Sequence, residues 1–498
     1  MNRHDFPFRS VCILISFSFS LLGLYSWPCL IMAQQPITPI KNSSVQTNAD
    51  FIIHPVDMNI PGIHCVKVLD LDFDGDEDIV GGSENTPYSS SVGLVWWRND
   101  GGYPVTWTRF TIDSTFLHVM SVDVGYVDED TLPDIVASGW SNGKISWWKN
   151  SGNPESGWTA YPVVTGWTNP HDAVCSDIDG DGKNDIVGAA AGDNTISVFY
   201  NQGGALPAWQ EEIVDSNFGG AKSIIVEDLD NDYLPDLIGA GDACDDIAWW
   251  KNLGGIPVSW EKQLITTNLD GSINPDAEDM NYDGQPDIIG AGWAGNEVSF
   301  WTCEGIATNS WEKTLVTNQL AVAVKGIGRD IDLDNDKDII AVGKVPGELA
   351  IFYNENGVFT KDILFPDFNG GTALAVIDMD HDGDDDIVAG AGVLKQLYLF
   401  ENQTITTSLP GTDRISSTLL VFPNPSSGEF TVTIPGEPVS EVEVLIIDSN
   451  GKTVLFSRMN PDNNRVMIKG HGLAVGSYLI KISAGKKIFT GSLFHSFF

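Results

Sequence analysis

The residues best placed to do chemistry are aspartates at a fixed spacing. The segments DLDFDGDEDIV from Asp70, DIDGDGKNDIV from Asp177, DLDNDYLPDLI from Asp228, DMNYDGQPDII from Asp279, DIDLDNDKDII from Asp330 and DMDHDGDDDIV from Asp378 repeat one motif, and a worn copy, YVDEDTLPDIV, begins at Tyr126. Side-chain oxygens at positions 1, 3, 5 and 9, with a backbone carbonyl at position 7, can wrap a hard cation. The donors are Asp70, Asp72, Asp74 and Asp78 in the first copy, Asp177, Asp179, Asp181 and Asp185 in the third, and Asp228, Asp230, Asp232 and Asp236 in the fourth. Asp330, Asp332, Asp334 and Asp338 form the sixth set, and Asp378, Asp380, Asp382 and Asp386 the seventh. The fifth set substitutes an amide: Asp279, Asn281, Asp283 and Asp287. The worn second copy keeps Asp128, Asp130 and Asp134 but has Tyr126 at position 1, so weak or absent binding is expected there, with Asp123 as a displaced donor. An EF-hand is excluded, because Gly81 stands where position 12 needs Glu and Ile79-Val80 reads as strand. A merely solvated acidic turn gives no reason for mutually repelling carboxylates to recur, so calcium is the expected cofactor.

These loops must be held by a repeated element. Successive motif starts lie 48 to 56 residues apart, a period that points to stacked supersecondary units. About twenty residues into each repeat comes a second signature: LVWWRN, ISWWKN, ISVFYN, IAWWKN, VSFWTC, LAIFYN and LYLFEN, from Leu94, Ile145, Ile196, Ile247, Val298, Leu349 and Leu397. A third element, such as WEKQLI from Trp260, follows in most copies. In the fourth repeat Ser223–Glu227, Leu237–Ala240, Ile247–Asn252 and Trp260–Ile265 read as strands between Gly, Asn, Asp and Pro turns. One four-stranded sheet buries too little to stand alone, so seven of them predict an all-β, seven-bladed β-propeller over residues 50–402, and a stacked solenoid fits less well. The last repeat lacks a WEKQLI-like strand, while Phe51–Val56 resembles one and precedes the first motif. It is expected to complete blade seven and to cover an open edge.

The loops resemble FG-GAP or VCBS-type repeats, the group that includes the integrin α-subunit propeller. That resemblance implies calcium loops between the first and second strands on one face, with ligands meeting the opposite face. His64 and His171, His118 at the comparable strand of blade two, and Lys222 in blade four would ring the channel mouth on that opposite face, with Trp140, Trp167, Trp293 and Tyr88 in turns beside them. Aromatics and imidazoles around a concave mouth suit a sugar or a peptide.

Residues 403–417 have linker composition, and 418–498 read as a small Ig-like β-sandwich. The block PNPSSGEF (Pro423–Phe430), the IDSNGKTV hairpin with Asn450-Gly451 at its turn, and GSYLIKI closely resemble the C-terminal sorting domain of the type IX secretion system of Bacteroidota. This implies passage across the outer membrane, through that secretion machinery, to release or surface attachment. The tail Phe494–Phe498 is more aromatic than the usual short basic-apolar ending.

Composition agrees with an exported protein that avoids polyanions. Sixty-eight acidic against 27 basic residues give a formal charge of −41, which excludes electrostatic binding to nucleic acid or an anionic membrane. Of those acids, 32 fall within positions 1 to 9 of the seven loops, so the charge is largely a metal-binding charge. Arg3 and Arg9 precede the apolar run Val11–Leu24, and residues 1–33 read as a signal peptide cleaved after Ala33. No other apolar run is long enough to span a bilayer, so no transmembrane segment is expected in the mature chain. With Cys12 and Cys29 removed, Cys65, Cys175, Cys244 and Cys303 share no ligand spacing and read as buried free thiols. The pentad Gly139-Trp140-Ser141-Asn142-Gly143 matches G-x-S-x-G but lies between two strands, not between a strand and a helix, which argues against a nucleophile elbow. The sequence thus reads as a secreted or surface-displayed calcium-binding propeller for an extracellular glycan or protein ligand. The alternative is an extracellular carbohydrate-active lyase or hydrolase.

Overall fold

The computed structural model describes residues 49–84, 92–102, 105–128, 130–303 and 310–404, and, of the C-terminal part, 419–422, 429–434, 442–448, 453–461, 465–469, 473, 476–484 and 487–495. The signal segment, Tyr88, most of the 403–417 linker and the Asn450-Gly451 turn lie outside the described residues. Among the described residues there is no helix.

Each repeat folds into one four-stranded antiparallel sheet, and there are seven such sheets between Phe51 and Asn402. The fourth consists of Ala221–Glu227, Asp236–Gly241, Asp246–Asn252 and Trp260–Thr266, hydrogen-bonded in chain order. Strand character follows from burial. In that blade every residue of the second strand is buried, so it reads as a continuous apolar run with small residues, while the fourth strand is partly buried or exposed over its first five residues and buried at Ile265 and Thr266. The small residues are required by the tryptophans: a Cβ added at Gly239 would lie 2.9 Å from the ring of Trp250.

The core lies between blades. Trp96, Val80 and Leu94 of blade one pack with Val119, Ile135 and Trp148 of blade two. Comparable clusters join two with three, three with four, four with five, five with six and six with seven. Ile63, Ile79, Val95 and Trp97 of blade one pack with Ala373, Val388, Leu397 and Leu399 of blade seven, which closes the ring.

The closing strand is Phe51–Asp57, paired antiparallel with Gln396–Asn402 in the register Phe51↔Asn402, Ile53↔Phe400, Pro55↔Tyr398. Its isoleucines contribute little burial. Ile52 and Ile53 are 36% and 44% exposed, whereas His54 is buried and meets Glu401 at 2.6 Å. As the outermost strand of a blade it faces solvent on one side, so its hold comes from the ladder, His54 and the partly buried Phe51 and Val56.

The C-terminal part is a two-sheet structure with its own core. A three-stranded sheet (Leu420–Phe422, Glu429–Thr433, Arg465–Lys469) and a four-stranded one (Val442–Asp448, Thr453–Met459, Gly476–Ala484, Lys487–His495) share a cluster that includes Phe430, Val432, Val444, Ile446, Ile468 and Ile480.

Candidate metal centres and the channel mouth

In every blade the acidic loop joins the first strand to the second, as between Ile63–Leu69 and Asp78–Ser83. The loop is drawn tight by its own carboxylates. Asp70 accepts from the backbone N–H groups of Asp74 (3.1 Å) and Gly75 (3.0 Å), and Asp74 accepts from Asp76 N–H (3.1 Å). Asp78, on the second strand, accepts from Leu71 N–H (3.2 Å) and Asn99 N–H (2.7 Å). The result is that oxygens of Asp70, Asp72 and Asp78 lie within 4.8 Å of one another. The same convergence occurs for Asp177, Asp179 and Asp185, for Asp228, Asp230 and Asp236, for Asp330, Asp332 and Asp338, and for Asp378, Asp380 and Asp386. In the fifth loop Asp283 N–H donates to both Asp279 (3.1 Å) and Asn281 (2.9 Å), and Asp287 accepts from Met280 N–H, so the amide loop keeps the same path. The position-5 carboxylates, such as Asp181, Asp232, Asp334 and Asp382, each accept from the N–H two residues on.

This donor set suits a hard cation. The Oδ1 atoms of Asp72, Asp230 and Asp332 are buried and have no hydrogen-bond partner, a costly state for a carboxylate oxygen unless something electropositive faces it. Burial, and then the neighbouring carboxylates, push the position-9 acids far above the usual carboxylate range: Asp78, Asp338 and Asp386 to about 8, and Asp185, Asp236 and Asp287 to about 7. Burial pushes Asp134 of the worn second loop to about 7 as well, so a raised position-9 acid is common to all seven loops, and a metal ion is one source of the positive charge that would bring such an acid back down.

One residue type in this scaffold was not singled out from the sequence. The Asn at the end of the third strand in six blades donates its backbone N–H to the position-9 Asp, and in blades three, four and seven its side chain also reaches two carbonyls. Asn252 Nδ2 donates to Pro235 O in its own blade (3.0 Å) and to Ile178 O in blade three (3.1 Å). Asn201 bridges to Val127 O and Asn402 to Ile331 O in the same way. The signal was present: six of the seven WWKN-type signatures end in Asn.

The second loop is different. Asp134 is held as in its counterparts, by Val127 N–H and Asn150 N–H, but Lys149 Nζ sits against Asp128 and 2.7 Å from Asp130. Asp123 does not turn toward this loop: it pairs with Lys67 (2.8 Å) and accepts from Cys175 N–H.

The first strands begin at the end away from the loops, around the central channel. His64, His171 and Lys222 occupy equivalent second positions of their strands, Ile63–Leu69, Pro170–Ser176 and Ala221–Glu227. His118 does not. Its strand starts at Val119, so Met120 matches His64, and His118 falls at the turn position filled elsewhere by Gly62, Gly220 and Gly271, with φ of 60°. There its Nε2 donates to Glu84 (3.3 Å) and its Nδ1 pairs with Ser141 Oγ (2.6 Å). The hydrogen bond from His118 holds the Glu84 carboxyl down at about 2.

His64, His118, His171 and Trp140 form one chain of ring contacts, with centroid separations of 6.3 Å (His64–His171), 5.6 Å (Trp140–His171) and 6.2 Å (His118–Trp140). Beneath lies a cavity of about 130 Å³ whose walls include His64, His171, Asp172, Asn274 and Lys325. Burial lowers His64 to about 4 and His171 well below its usual value, so both imidazoles are neutral at pH 7. Lys222 pairs with Asp242 (2.5 Å) and lies 5.7 Å from the ring of Trp293, which is 40% exposed. Trp167 is not brought to this group: its ring packs on Phe199 in the core between blades two and three. The four described cysteines form no disulfide with one another; Cys303 is buried as expected, whereas Cys65, Cys175 and Cys244 are only partly buried.

Comparison with known families agrees with this geometry. Residues 177–239 and 330–389 match the FG-GAP-like repeat. The propeller thus contains FG-GAP-like repeats across blades three to four and six to seven. Residues 420–494 match the secretion system C-terminal sorting domain, so the FG-GAP-like propeller carries a type IX secretion tail and is a secreted or outer-surface protein. Among solved structures, the chain is similar to BBS1N, crystallised in complex with ARL6DN (14% identity, TM-score 0.48, covering 72% of this chain and 98% of that one). It is also similar to the extracellular domain of BT4673 from B. thetaiotaomicron, described as a hybrid two component system (11% identity, TM-score 0.43, 91% of this chain and 59% of that one). No curated protein matches the chain.

Proposed function

We propose that this FG-GAP-like protein is a calcium-stabilised binding propeller whose channel mouth takes an extracellular glycan or protein ligand. The observation that carries the reading is the chain of ring contacts among His64, His118, His171 and Trp140, two of which, His64 and His171, line a concave cavity at the end of the blades away from the acidic loops. Neutral imidazoles can donate and accept hydrogen bonds, and Trp140 offers a flat apolar face, a combination that suits hydroxyl-rich or peptide ligands. Calcium fits the loops because their donors are all oxygen and their buried Oδ1 atoms lack partners. The test is a glycan and peptide array probed with the full chain in calcium and read for both binding and turnover. A ligand held at the mouth should bind about tenfold more weakly to the Trp140→Ala variant, and undiminished binding by that variant would place the ligand elsewhere.

A second reading has a specific observation in its favour. Ser141, the central residue of the Gly139–Gly143 pentad, His118 and Glu84 stand in one hydrogen-bonded line as a nucleophile, base and orienting carboxylate would. Ser141 Oγ could add to an ester carbonyl as His118 Nδ1 takes its proton. The proton would then pass to the departing alcohol, and water would release the acyl group. Ester turnover on the same array, abolished by Ser141→Ala, would favour this reading over simple binding.

A further inference from the structure

The worn loop of blade two has lost a carboxylate and gained an ammonium group. Tyr126 stands at position 1, where the five complete copies have Asp, and is 52% exposed. Lys149, the penultimate residue of the ISWWKN signature, lies across the loop with Nζ against Asp128 Oδ2 and 2.7 Å from Asp130 Oδ2. The Asp128 side chain is 1% exposed, so its charge must be met inside the protein. Here it is: Oδ1 accepts from Asp130 N–H (3.0 Å) and Oδ2 from Lys149. In blades one and six the equivalent Asp72 and Asp332 each leave a buried oxygen without a partner. The charge exchange balances as well. Losing one negative group at position 1 is matched by a cation that carries one positive charge where calcium carries two. Blade four supplies a control within the molecule. Lys251, at the same place in its strand, reaches Asp230 and Asp232 (3.1 Å), yet Asp228 is retained and Asp230 Oδ1 stays unpartnered, so the full donor set for a metal persists beside the lysine. In the other five blades the position holds Arg98, Tyr200, Thr302, Tyr353 and Glu401.

We propose that the ammonium group of Lys149 takes, in blade two, the place a divalent cation takes in the other blades, so that this blade is held without metal. The proposal rests on the calcium reading of the remaining loops. It is tested on the full chain by calcium stoichiometry and by hydrogen exchange with and without chelator. Six equivalents are expected, one for each loop with an oxygen donor at position 1 other than tyrosine. On chelation, the amides of Asp74 and Gly75 should lose protection while those of Val127 and Asp130 keep theirs. The double variant Tyr126→Asp/Lys149→Asn should bind one further equivalent. Seven equivalents in the wild type would overturn the proposal, as would chelator-sensitive amides in the second loop or a double variant that folds and gains nothing. The absence of calcium from every loop would overturn the calcium reading together with it, whereas those three results leave that reading intact.

Discussion

The side chains that matter most in this propeller are those whose partners lie in another blade. Asn252 satisfies Ile178 O and Pro235 O at a buried position, and both carbonyls would be left without a donor by Asn252→Ala. A loss of about 2 kcal/mol in unfolding free energy is expected, measurable by denaturant titration in calcium. His64 makes the molecule acid-sensitive. Burial lowers its value from 6.5 to about 4, with Lys344 and His118 adding to the effect and Glu84 and the Met120 carbonyl opposing it. Between those two values the unfolded chain binds the proton and the folded chain does not, so this contribution to stability is complete above about pH 6.5 and is lost as the pH falls toward 4. At roughly 1.4 kcal/mol per unit the effect is on the order of 3 kcal/mol. A His64→Gln variant should therefore lose less melting temperature than the wild type between pH 7 and pH 4.5, and an identical pH profile would rule His64 out as the source.

At the scale of elements, the strand Phe51–Asp57 decides whether the ring is closed. A chain beginning at Asn59 loses the whole ladder to Gln396–Asn402 and the His54–Glu401 contact, and it exposes the edge of the seventh sheet. Self-association, or a fall in stability of several kcal/mol, is expected by light scattering and thermal unfolding. A monomer that melts like the full chain would mean that the clasp between blades one and seven suffices alone. The acidic loops belong to this scale too, because each joins two strands of one sheet, and in blades three, four and seven the Asn beside the loop reaches the neighbouring blade.

Across the whole molecule, the acidic loops are expected to act together. Excess chelator should lower the melting temperature markedly and in proportion to the number of loops emptied, since each would then hold carboxylates a few ångströms apart without a counter-charge. An unchanged melting curve would show that the loops are self-sufficient. The sorting domain has its own core, so a chain ending at Asn402 should keep the propeller's calcium-dependent melting but accumulate in the periplasm. Its normal delivery to the surface would detach export from the C-terminal match.

Much of this architecture is legible in the sequence alone. Strand length, turn residues and the spacing of the aspartates are local properties, and the regular recurrence of D-x-D-x-D and WWKN signatures is enough to specify blades, loops and their number. Even the orphaned strand at Phe51 could be assigned, because one repeat lacked what it supplied. Contacts between repeats were not legible, since they depend on how far each sheet is rotated against the next. That rotation brings Asn252 to a carbonyl 74 residues away, and turn geometry sets His118 between Glu84 and Ser141 and not at the strand position that His64 and His171 share. It also takes Trp167 into the core. The replacement of a metal ion by Lys149 lies between the two cases: the lost aspartate at Tyr126 was plain in the sequence. The lysine that answers it is 21 residues beyond Asp128 on another strand, and only the pairing of strands across the sheet brings its ammonium group to the loop.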